Sequence, residues 1–537
     1  MGVRDNDSVS KPLLPAPGTA ARLRDELRAA AFTADGCLEL LGAVAYAALS
    51  RAETVPALRA TRGGSPLETL VRLFLLQQPV SRERAGAALK ELDRYEADGW
   101  LQDDGAAGLR ATVDVRPYAQ DAGKDWWIVS DLGCAVGGAG GIGSAPGVAR
   151  TDLVLGVGGA STTLAGLTVR QPFATALDLG TGSGIQALHA ARHATRVTAT
   201  DVNPRALHFA RLTLALSGVP AADLRQGGLF EPVAGERYDL IVSNPPFVIS
   251  PSGLGPDAGL GDGSGPGTGP GPGPGASGRL TYRDGGMAGD DLCRTLVQQS
   301  ADHLNDGGWC QLLANWQHIE GQDWRDRLAS WVPPGCDAWI VQREVQDVAQ
   351  YAELWLRDSG DHRGDPAAYA ARYDAWLAEF ERAAVNGIGF GWITLRKSGA
   401  VRPAVTVEEW PHPVEQPLGT HIADWFARQD FLRAHDDAAL LEARFTLAPD
   451  VVQEQVGLPG AEDPEHVVLR SARGMRRATK VDTVGAGFAG VCDGTLPAGR
   501  ILDAIAQLLR EDPVILRDRT PQAIRLLVEQ GFLEPVR

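Results

Sequence analysis

The sequence lacks both long apolar runs and paired cysteine motifs. Its longest apolar stretches, such as residues 40–49, are well short of the ~20 residues that span a bilayer, and residues 1–10 lack the apolar segment of a signal peptide. The six cysteines are scattered with no CxxC spacing, which suits neither a zinc cluster nor a secreted disulfide framework. We therefore expect a cytoplasmic protein with no membrane segment, no metal and reduced cysteines.

The chain is also poor in basic residues relative to acidic ones. It has 51 Lys and Arg against 67 Asp and Glu, which gives a formal net charge of −16. This balance argues against a protein that coats polyanions, because phosphate binding depends on clustered Lys and Arg. A length of 537 residues exceeds what one hydrophobic core usually supports and favours two or three domains.

Composition and periodicity divide the chain into five segments. We predict a disordered lead-in at 1–18, an N-terminal winged-helix-like domain at 19–145, an α/β domain at 146–400, a linker at 401–417 and a C-terminal winged-helix-like domain at 418–537. A Gly- and Pro-rich tract at 253–278 cannot bury a core, so we expect it to be a flexible loop inserted in the α/β domain.

Both flanking domains are predicted from a few helical and turn patterns. In the N-terminal one, a helix at 67–76, a second helix that runs to Leu92 with Ser81 as its N-cap, and a hairpin at 99–118 suggest a winged helix. In the C-terminal one, the prediction depends on a helix at 496–509 and another from Pro521, with Thr520 as N-cap and Gly531 as stop.

The middle of the chain alternates strand and helix patterns, which is typical of a doubly wound, Rossmann-like α/β sheet. Candidate helices begin at Ile185, Pro204 and Asp291. We expect the last two candidate strands to pair antiparallel near the sheet edge. The candidate strands are Ala174–Leu179, Arg196–Thr200, Asp239–Ser243, Cys310–Ala314, Ala338–Val341 and Phe390–Leu395.

A glycine-rich loop follows the first of these strands. Residues 178–184 read DLGTGSG and open a helix, and glycines there let the backbone turn tightly and approach a ligand closely. The spacing differs from the dinucleotide form GxGxxG, and no P-loop lysine follows. Asp201 ends the next strand, where its carboxylate can accept hydrogen bonds from ribose hydroxyls. The pattern therefore favours a nucleoside ligand.

Residues 177–218 resemble the class I methyltransferases, which bind S-adenosylmethionine at these positions. Where many members carry an acid after the third strand, this chain reads QGGLF at 226–230, and we expect backbone N–H groups and the Phe230 ring to contact adenine instead. The resemblance implies S-adenosylmethionine as cofactor. The implied cofactor-binding residues are Asp178, Gly180, Thr181, Gly182, Gly184, Asp201, Asn203, Gly228, Leu229, Phe230 and Asn244.

A second motif, NPPF at 244–247, follows a buried strand pattern. It resembles the N/D-P-P-Y/F motif of amino-methyltransferases, which implies Asn244, Pro245, Pro246 and Phe247 as catalytic residues. In that family the Asn side-chain oxygen and the next carbonyl accept the two N–H bonds of a planar NH2 group, while the aromatic ring packs on its face. The delocalised lone pair of such a nitrogen attacks only when the group is held and polarised, so proximity supplies much of the rate.

Residues 282–291, YRDGGMAGDD, resemble the GG-x-x-G element of HemK/PrmC-type glutamine methyltransferases and suggest the eukaryotic and archaeal PrmC-related branch. Our first hypothesis is therefore methylation of a glutamine side chain in a protein, such as one of the translation machinery. A second hypothesis is an exocyclic amine of adenine or guanine in RNA or DNA, because Phe at position 247 also occurs in ribosomal-RNA methyltransferases. A third is a winged-helix regulator that only senses S-adenosylmethionine.

One basic run bears on the second hypothesis. It lies in the proposed C-terminal domain and contains no acid: Arg470, Arg473, Arg476, Arg477 and Lys480. The run predicts either a nucleic-acid contact or a solvated charged face, and the surrounding excess of Asp and Glu leaves both interpretations open.

Overall fold

The computed structural model describes residue 15 and residues 18–119, 125–133, 152–251, 285–459 and 464–536. The Gly- and Pro-rich tract predicted at 253–278 and nearly all of the predicted lead-in lie outside the described residues. The chain forms two compact units. The first comprises Met1–Leu164, Pro172–Gly399 and Val405–Glu408, and the second comprises Ala165–Gln171, Ala400–Ala404 and Glu409–Arg537.

The first unit begins with short helices and two hairpins. These elements are α1 (Thr19–Ala29), α2 (Ala34–Leu49), α3 (Val55–Ala60), α4 (Pro66–Leu70), α5 (Arg82–Ala88), α6 (Leu92–Ala97), β1 (Leu101–Asp103), β2 (Leu109–Ala111), β3 (Asp114–Ala119) and β4 (Asp125–Ser130). A π-helical turn at Val71–Leu75 continues α4. The Ser81 hydroxyl caps α5 as predicted, by accepting from the amide of Arg84.

Two of the N-terminal predictions need correction. The helix predicted to run from Ser81 to Leu92 is broken in two, because Leu89 is extended and ends α5 before α6 begins. The predicted hairpin at 99–118 is shorter than expected: β1 pairs with β2, whereas Tyr118 lies in β3, which pairs with β4.

A large sheet with flanking helices follows. Its elements are α7 (Gly159–Leu167), β5 (Phe173–Leu179), α8 (Ile185–Ala190), β6 (Ala194–Asp201), α9 (Pro204–Ser217), β7 (Asp223–Gln226), β8 (Tyr238–Ser243), α10 (Asp291–Ser300), β9 (Leu304–Ile319), α11 (Trp324–Ala329), β10 (Cys336–Asp347), α12 (Val348–Asp358), α13 (Pro366–Arg382), β11 (Val385–Lys397) and β12 (Val405–Glu409). The predicted helix starts at Ile185, Pro204 and Asp291 are all confirmed.

The sheet has the order β12-β10-β11-β9-β8-β5-β6-β7. From β9 to β7 all neighbours are parallel, whereas β11 pairs antiparallel with both β9 and β10. The chain reverses its direction of winding between β5 and β8, so the carboxyl ends of these two strands border the crevice in which doubly wound sheets bind ligands. The predicted α/β class and the antiparallel pairing near the edge are confirmed.

Helices cover both faces of the sheet. One face packs α10 and α11 through buried side chains such as Leu292, Leu296 and Leu328. On the other, Ile185 of α8 and Leu214 of α9 pack with Trp126 and Ile128 of β4. The opposite side of α9 shares one apolar core with the N-terminal helices, so these helices and the sheet belong to one unit.

The strands β9, β10 and β11 are longer than predicted. Residues 313–319 of β9 pair with residues 385–392 of β11, past the last pairing of β8 with β9 at Leu312. Between β10 and β11 the chain forms α12 and α13, which pack together through Tyr351, Trp376 and Phe380. We call residues 347–384 the helical insert.

The second unit contains helices and two small sheets. Its elements are α14 (Gly419–Ala434), α15 (Asp437–Glu442), β13 (Arg444–Leu447), β14 (Val451–Val456), β15 (His466–Ser471), β16 (Ala478–Val481), α16 (Thr483–Val491), β17 (Asp493–Pro497), α17 (Ala498–Leu509), α18 (Pro513–Arg519), α19 (Pro521–Glu529) and β18 (Leu533–Pro535). The predicted helices at 496–509 and from Pro521 correspond to α17 and α19. Thr520 occupies the N-cap position of α19 as predicted, but its side chain makes no capping hydrogen bond, because its hydroxyl donates to the Leu516 carbonyl of α18.

No single helix in the described ranges is long and apolar enough to cross a membrane. The pair formed by α1 and α2 meets the same criteria of length and composition, but the two helices are bent by 48° where they meet. Nor do three His, Cys, Asp or Glu side chains come together as a metal site among these residues. The described cysteines are buried and unpaired with one another, and burial raises the pKa of the Cys293 thiol to about 12.

Candidate functional site

The glycine loop joins β5 to α8 as predicted. Gly180, Gly182 and Gly184 have φ angles of 75°, 54° and 88°, a region that costs L-residues energy. The amides of Gly180 and Thr181 both donate to the Thr200 carbonyl of β6 at 2.9 Å, which fixes the loop over the neighbouring strand. A Cβ atom on Gly180 or Gly182 would have no heavy atom within 4 Å, so the loop leaves open space beside these residues.

Gly184 has a different role from the other two glycines. A Cβ atom there would lie 2.9 Å from the Cα of Ala210 in α9, which is closer than real Cβ contacts. The third glycine therefore permits close packing of α8 on α9, while the first two line the open side of the loop.

Asp178 is the second-to-last residue of β5 and is almost fully buried. Its Oδ2 accepts hydrogen bonds from the Thr181 hydroxyl at 2.6 Å and the Ala187 amide at 2.9 Å, while its Oδ1 has no partner among the described residues. Burial, together with a smaller contribution from the nearby Asp201 carboxylate, raises the pKa of Asp178 to about 7 against these hydrogen bonds. The site thus contains a buried carboxylate whose negative charge is poorly compensated.

Asp201 ends β6 and faces the same loop. Its Oδ2 accepts from the Gly182 amide and its Oδ1 from the Asn203 amide, each at 2.9 Å. Burial raises the pKa of Asp201 as well, although hydrogen bonds to its carboxylate oppose this. Asn203 caps α9 through the Arg205 amide and donates to the Asp152 carbonyl, so it ties the segment before α7 to the site. The two predicted acids and the glycine loop are therefore adjacent.

The QGGLF segment follows β7 at the same edge of the sheet. Gly227 donates its amide to the Asp201 carbonyl at 3.1 Å, and Leu229 has a left-handed φ of 49°. Phe230 is buried, and its ring stacks on His303 with centroids 4.5 Å apart. Gly227 thus lies beside Asp201 and Gly228 beside Val202, whereas Leu229 and the Phe230 ring pack against the core around α10.

The NPPF motif follows β8, the direct neighbour of β5. Ser243 pairs with Leu179, and its hydroxyl donates to the Leu179 carbonyl at 2.7 Å, so Asn244 lies next to the start of the glycine loop. The Asn244 Oδ1 is buried and has no hydrogen-bond partner among the described residues. The Pro245 carbonyl accepts from the Phe247 amide at 2.8 Å, which turns the backbone sharply and leaves one lone pair of that oxygen.

The described part of the GG-x-x-G element packs on this motif. A Cβ atom on Gly285 would lie 2.8 Å from the Pro246 carbonyl oxygen, so only glycine fits against the motif there. Asp290 is buried and binds the Gln317 amide of β9 and the Arg327 guanidinium of α11. Tyr282, Arg283 and Asp284 of the element lie outside the described residues.

The basic run lies in the second unit, where it forms part of the β15–β16 hairpin. Arg470 forms an ion pair with Glu454 of β14, and the Arg477 guanidinium lies 4.7 Å from the Trp410 ring centroid. At least two of the five charges therefore already have partners within that unit.

Sequence reasoning missed two buried polar residues that hold the loop after the motif. The Tyr351 hydroxyl accepts from the Ile249 amide at 2.9 Å and from the Asn315 side-chain amide at 3.1 Å. Neither residue belongs to a short motif, and the only signal was the long strand pattern that continues past Ala314.

Family comparisons agree with the position of this site. Residues 157–252 match the family described as methyltransferase small domain. Residues 29–112 and 423–535 match two families described as domains of unknown function, DUF7059 and DUF7782.

Three curated relatives match about a quarter of the chain. A release factor glutamine methyltransferase from Xylella fastidiosa is 36% identical over 141 residues, which are 26% of this chain and 46% of the relative. A ribosomal protein uL3 glutamine methyltransferase from Bradyrhizobium diazoefficiens is 35% identical over 138 residues, 25% of this chain and 38% of the relative.

The third relative, a ribosomal RNA small subunit methyltransferase C from Escherichia coli, is 30% identical over 141 residues, 26% of this chain and 30% of the relative. The chain thus spans less than half the length of each of these relatives. The match of residues 157–252 nevertheless includes the glycine loop, both acids and the NPPF motif. Residues 157–252, which hold the candidate site, are therefore similar to the methyltransferase small domain.

Proposed function

We propose that the protein is an S-adenosylmethionine-dependent N-methyltransferase whose acceptor is a planar amide nitrogen, and that this amide is a glutamine side chain of a protein. The observation that carries the proposal is the buried Asn244 Oδ1, which has no hydrogen-bond partner among the described residues. A buried acceptor without a donor costs free energy, so its presence at a ligand crevice indicates that a substrate N–H completes it.

The residues of the glycine loop fit S-adenosylmethionine. Gly180 and Gly182 leave room for close approach of a ligand, and the carboxylates of Asp178 and Asp201 favour one that carries positive charge and hydroxyl donors. Gly228 and Leu229 directly follow Gly227, whose amide donates to the Asp201 carbonyl, and would lie against the adenine. The cofactor would supply an electrophilic methyl group on a sulfonium.

The chain's own residues would orient the acceptor. The Asn244 Oδ1 and the free lone pair of the Pro245 carbonyl accept the two N–H bonds of the amide, while Pro246 stiffens the turn and Phe247 packs on the amide face. Methyl transfer would form a new N–C bond as the bond between the methyl group and the sulfonium breaks, and the acceptor nitrogen would then lose one proton to water. Fixing the nitrogen in line with the methyl group supplies the rate, because an amide is a poor nucleophile.

A protein acceptor is favoured over nucleic acid by charge as well as by the two glutamine methyltransferase relatives. The helical insert packs on the loop that follows the NPPF motif and contains twice as many acidic as basic side chains. Two buried carboxylates also lie at the site itself. Nucleic-acid binding needs an excess of Lys and Arg near the phosphates, whereas the helical insert and the site both have an excess of acidic side chains.

The second candidate is an exocyclic amine of RNA, which the ribosomal RNA methyltransferase relative favours. It would use the same clamp, since an exocyclic amine is also a planar NH2 group. The third hypothesis, a sensor of S-adenosylmethionine, requires the glycine loop and Asp201. It gives no role to the Asn244 Oδ1, which has no partner in the described part of the chain.

The test is transfer of labelled methyl from S-adenosylmethionine into a cell extract by wild type and Asn244→Ala. Asn305→Ala is the matched control, because Asn305 hydrogen bonds to Asp239 at the opposite end of β8. We expect protease-sensitive label with wild type and Asn305→Ala and none with Asn244→Ala. Nuclease-sensitive label would instead establish the RNA candidate, and absence of any Asn244-dependent label would refute the enzymatic proposal.

A further inference from the structure

The loop that follows the NPPF motif is held by the helical insert. Val248 and Ile249 are buried, and their side chains pack in one apolar cluster with Tyr351, Trp376 and Phe380. The backbone there is neither helix nor strand, so the buried Ile249 amide has no partner in regular secondary structure and needs another acceptor. The Tyr351 hydroxyl is that acceptor, at 2.9 Å.

The Tyr351 hydroxyl connects three separate elements at one point. Besides the Ile249 amide it accepts from the side chain of Asn315, which is itself buried in the extended part of β9. The ring of Tyr351 is fully buried and surrounded by aromatic rings of α12, α13 and β11. Ring packing fixes the hydroxyl, and the hydroxyl fixes the loop two residues after Phe247.

We propose that Tyr351 is a positioning residue for the amide clamp, which holds Asn244 and Phe247 in their reactive arrangement through the Ile249 amide. This inference rests on the proposed function and adds to it, because it assigns the helical insert a role in preorganising the site. The Phe247 amide already donates to the Pro245 carbonyl, so the segment from Asn244 to Ile249 is a tight turn with its far end attached to Tyr351. Small shifts of such a clamp are costly to the rate.

The test compares Tyr351→Phe with Tyr373→Phe. Tyr373 lies in the same insert, and its hydroxyl donates to the Ala349 carbonyl at 2.9 Å, away from the motif loop. Each variant removes one hydroxyl and keeps its ring, so the comparison separates loss of the contact with the motif loop from loss of a hydroxyl elsewhere in the same insert. In Tyr351→Phe we expect kcat to fall about 10- to 100-fold, since misplacement of about 1 Å can cost that much, with unchanged affinity for S-adenosylmethionine. In Tyr373→Phe we expect kcat to change less than about twofold, because its hydrogen bond does not reach the clamp.

Amide hydrogen exchange supplies a readout that does not need activity. Exchange of the peptide that contains Ile249 should accelerate in Tyr351→Phe and remain at the wild-type rate in Tyr373→Phe. If wild type transfers no methyl to any acceptor, the proposed function fails while this exchange result still decides the positioning role. Unchanged exchange at Ile249, or an equal loss of kcat in both variants, would overturn the proposal.

Discussion

The buried carboxylate of Asp178 makes a quantitative prediction about the substitution Asp178→Asn. Burial raises the pKa of this group from 3.8 to about 7, so the folded state retains a proton that the unfolded state releases. Stability is therefore lost as the pH rises from about 4 to about 7 and stays low above that range. At about 1.4 kcal/mol per pKa unit, the ligand-free fold loses on the order of 4 kcal/mol by pH 8.

Asparagine at position 178 cannot ionise, and its side-chain oxygen can take over both hydrogen bonds that Oδ2 accepts. We therefore expect Asp178→Asn to be close to wild type in free energy of unfolding near pH 4 and more stable by about 3–4 kcal/mol at pH 8, measured by urea unfolding without cofactor. The same variant should bind S-adenosylmethionine more weakly, because the carboxylate that favours a cation is gone.

The matched control is Asp239→Asn. Burial acts to raise the pKa of Asp239, but hydrogen bonds from Asn305, Thr175 and Ala174 lower it below its usual value. Its carboxylate stabilises the fold above that pKa and stops doing so as the pH falls, so the variant should be less stable than wild type at pH 8. Equal effects of pH on Asp178→Asn and wild type, or a gain in stability for Asp239→Asn at pH 8, would refute the reasoning.

Three further substitutions test the site. Gly184→Ala should lower the free energy of unfolding by more than about 2 kcal/mol in thermal unfolding, because its Cβ would collide with α9. Gly180→Ala should lower it by only the ~1 kcal/mol that a left-handed backbone costs an L-residue. Equal losses would contradict the separate roles of these glycines. Asp201→Asn should weaken S-adenosylmethionine binding by about tenfold or more in calorimetry, since one charge-assisted hydrogen bond contributes about 1.5–3 kcal/mol; unchanged affinity would remove Asp201 from the site. Phe247→Tyr should retain activity, whereas Phe247→Ala should lose about tenfold or more in kcat/KM, because packing of the ring on the acceptor amide holds that amide in its reactive geometry. Similar kcat/KM values for both variants would exclude a role for the ring.

The parts of the site that the sequence predicts are those in which chemistry and conformation are local. The loop at 178–184 needs glycines for its left-handed angles. On either side of β5, Asp201 ends one neighbouring strand and Asn244 directly follows the other. Their positions at the carboxyl ends of strands predict that they lie at one edge of the sheet, and the pairing of β8 with β5 then brings Asn244 next to the loop.

The helical insert could not be predicted in the same way. Ile249 and Tyr351 are 102 residues apart, and they meet only because β9, β10 and β11 continue as an antiparallel sheet past the end of β8. Short apolar stretches at 338–341 and 390–395 gave the centres of β10 and β11 but not their polar extensions. Likewise, the basic run reads as a charge cluster, whereas strand pairing brings Arg470 to Glu454 of another strand.

The most direct test of the account concerns the atom that receives the methyl group. Protein labelled by the wild-type enzyme with methyl-labelled S-adenosylmethionine would be hydrolysed in acid, which converts a methylated glutamine into glutamate and volatile methylamine. We predict that the label is released as methylamine and that Asn244→Ala produces none. Label recovered in methylated lysine or arginine, or released as methanol by mild base, would contradict transfer to a planar amide nitrogen held by Asn244.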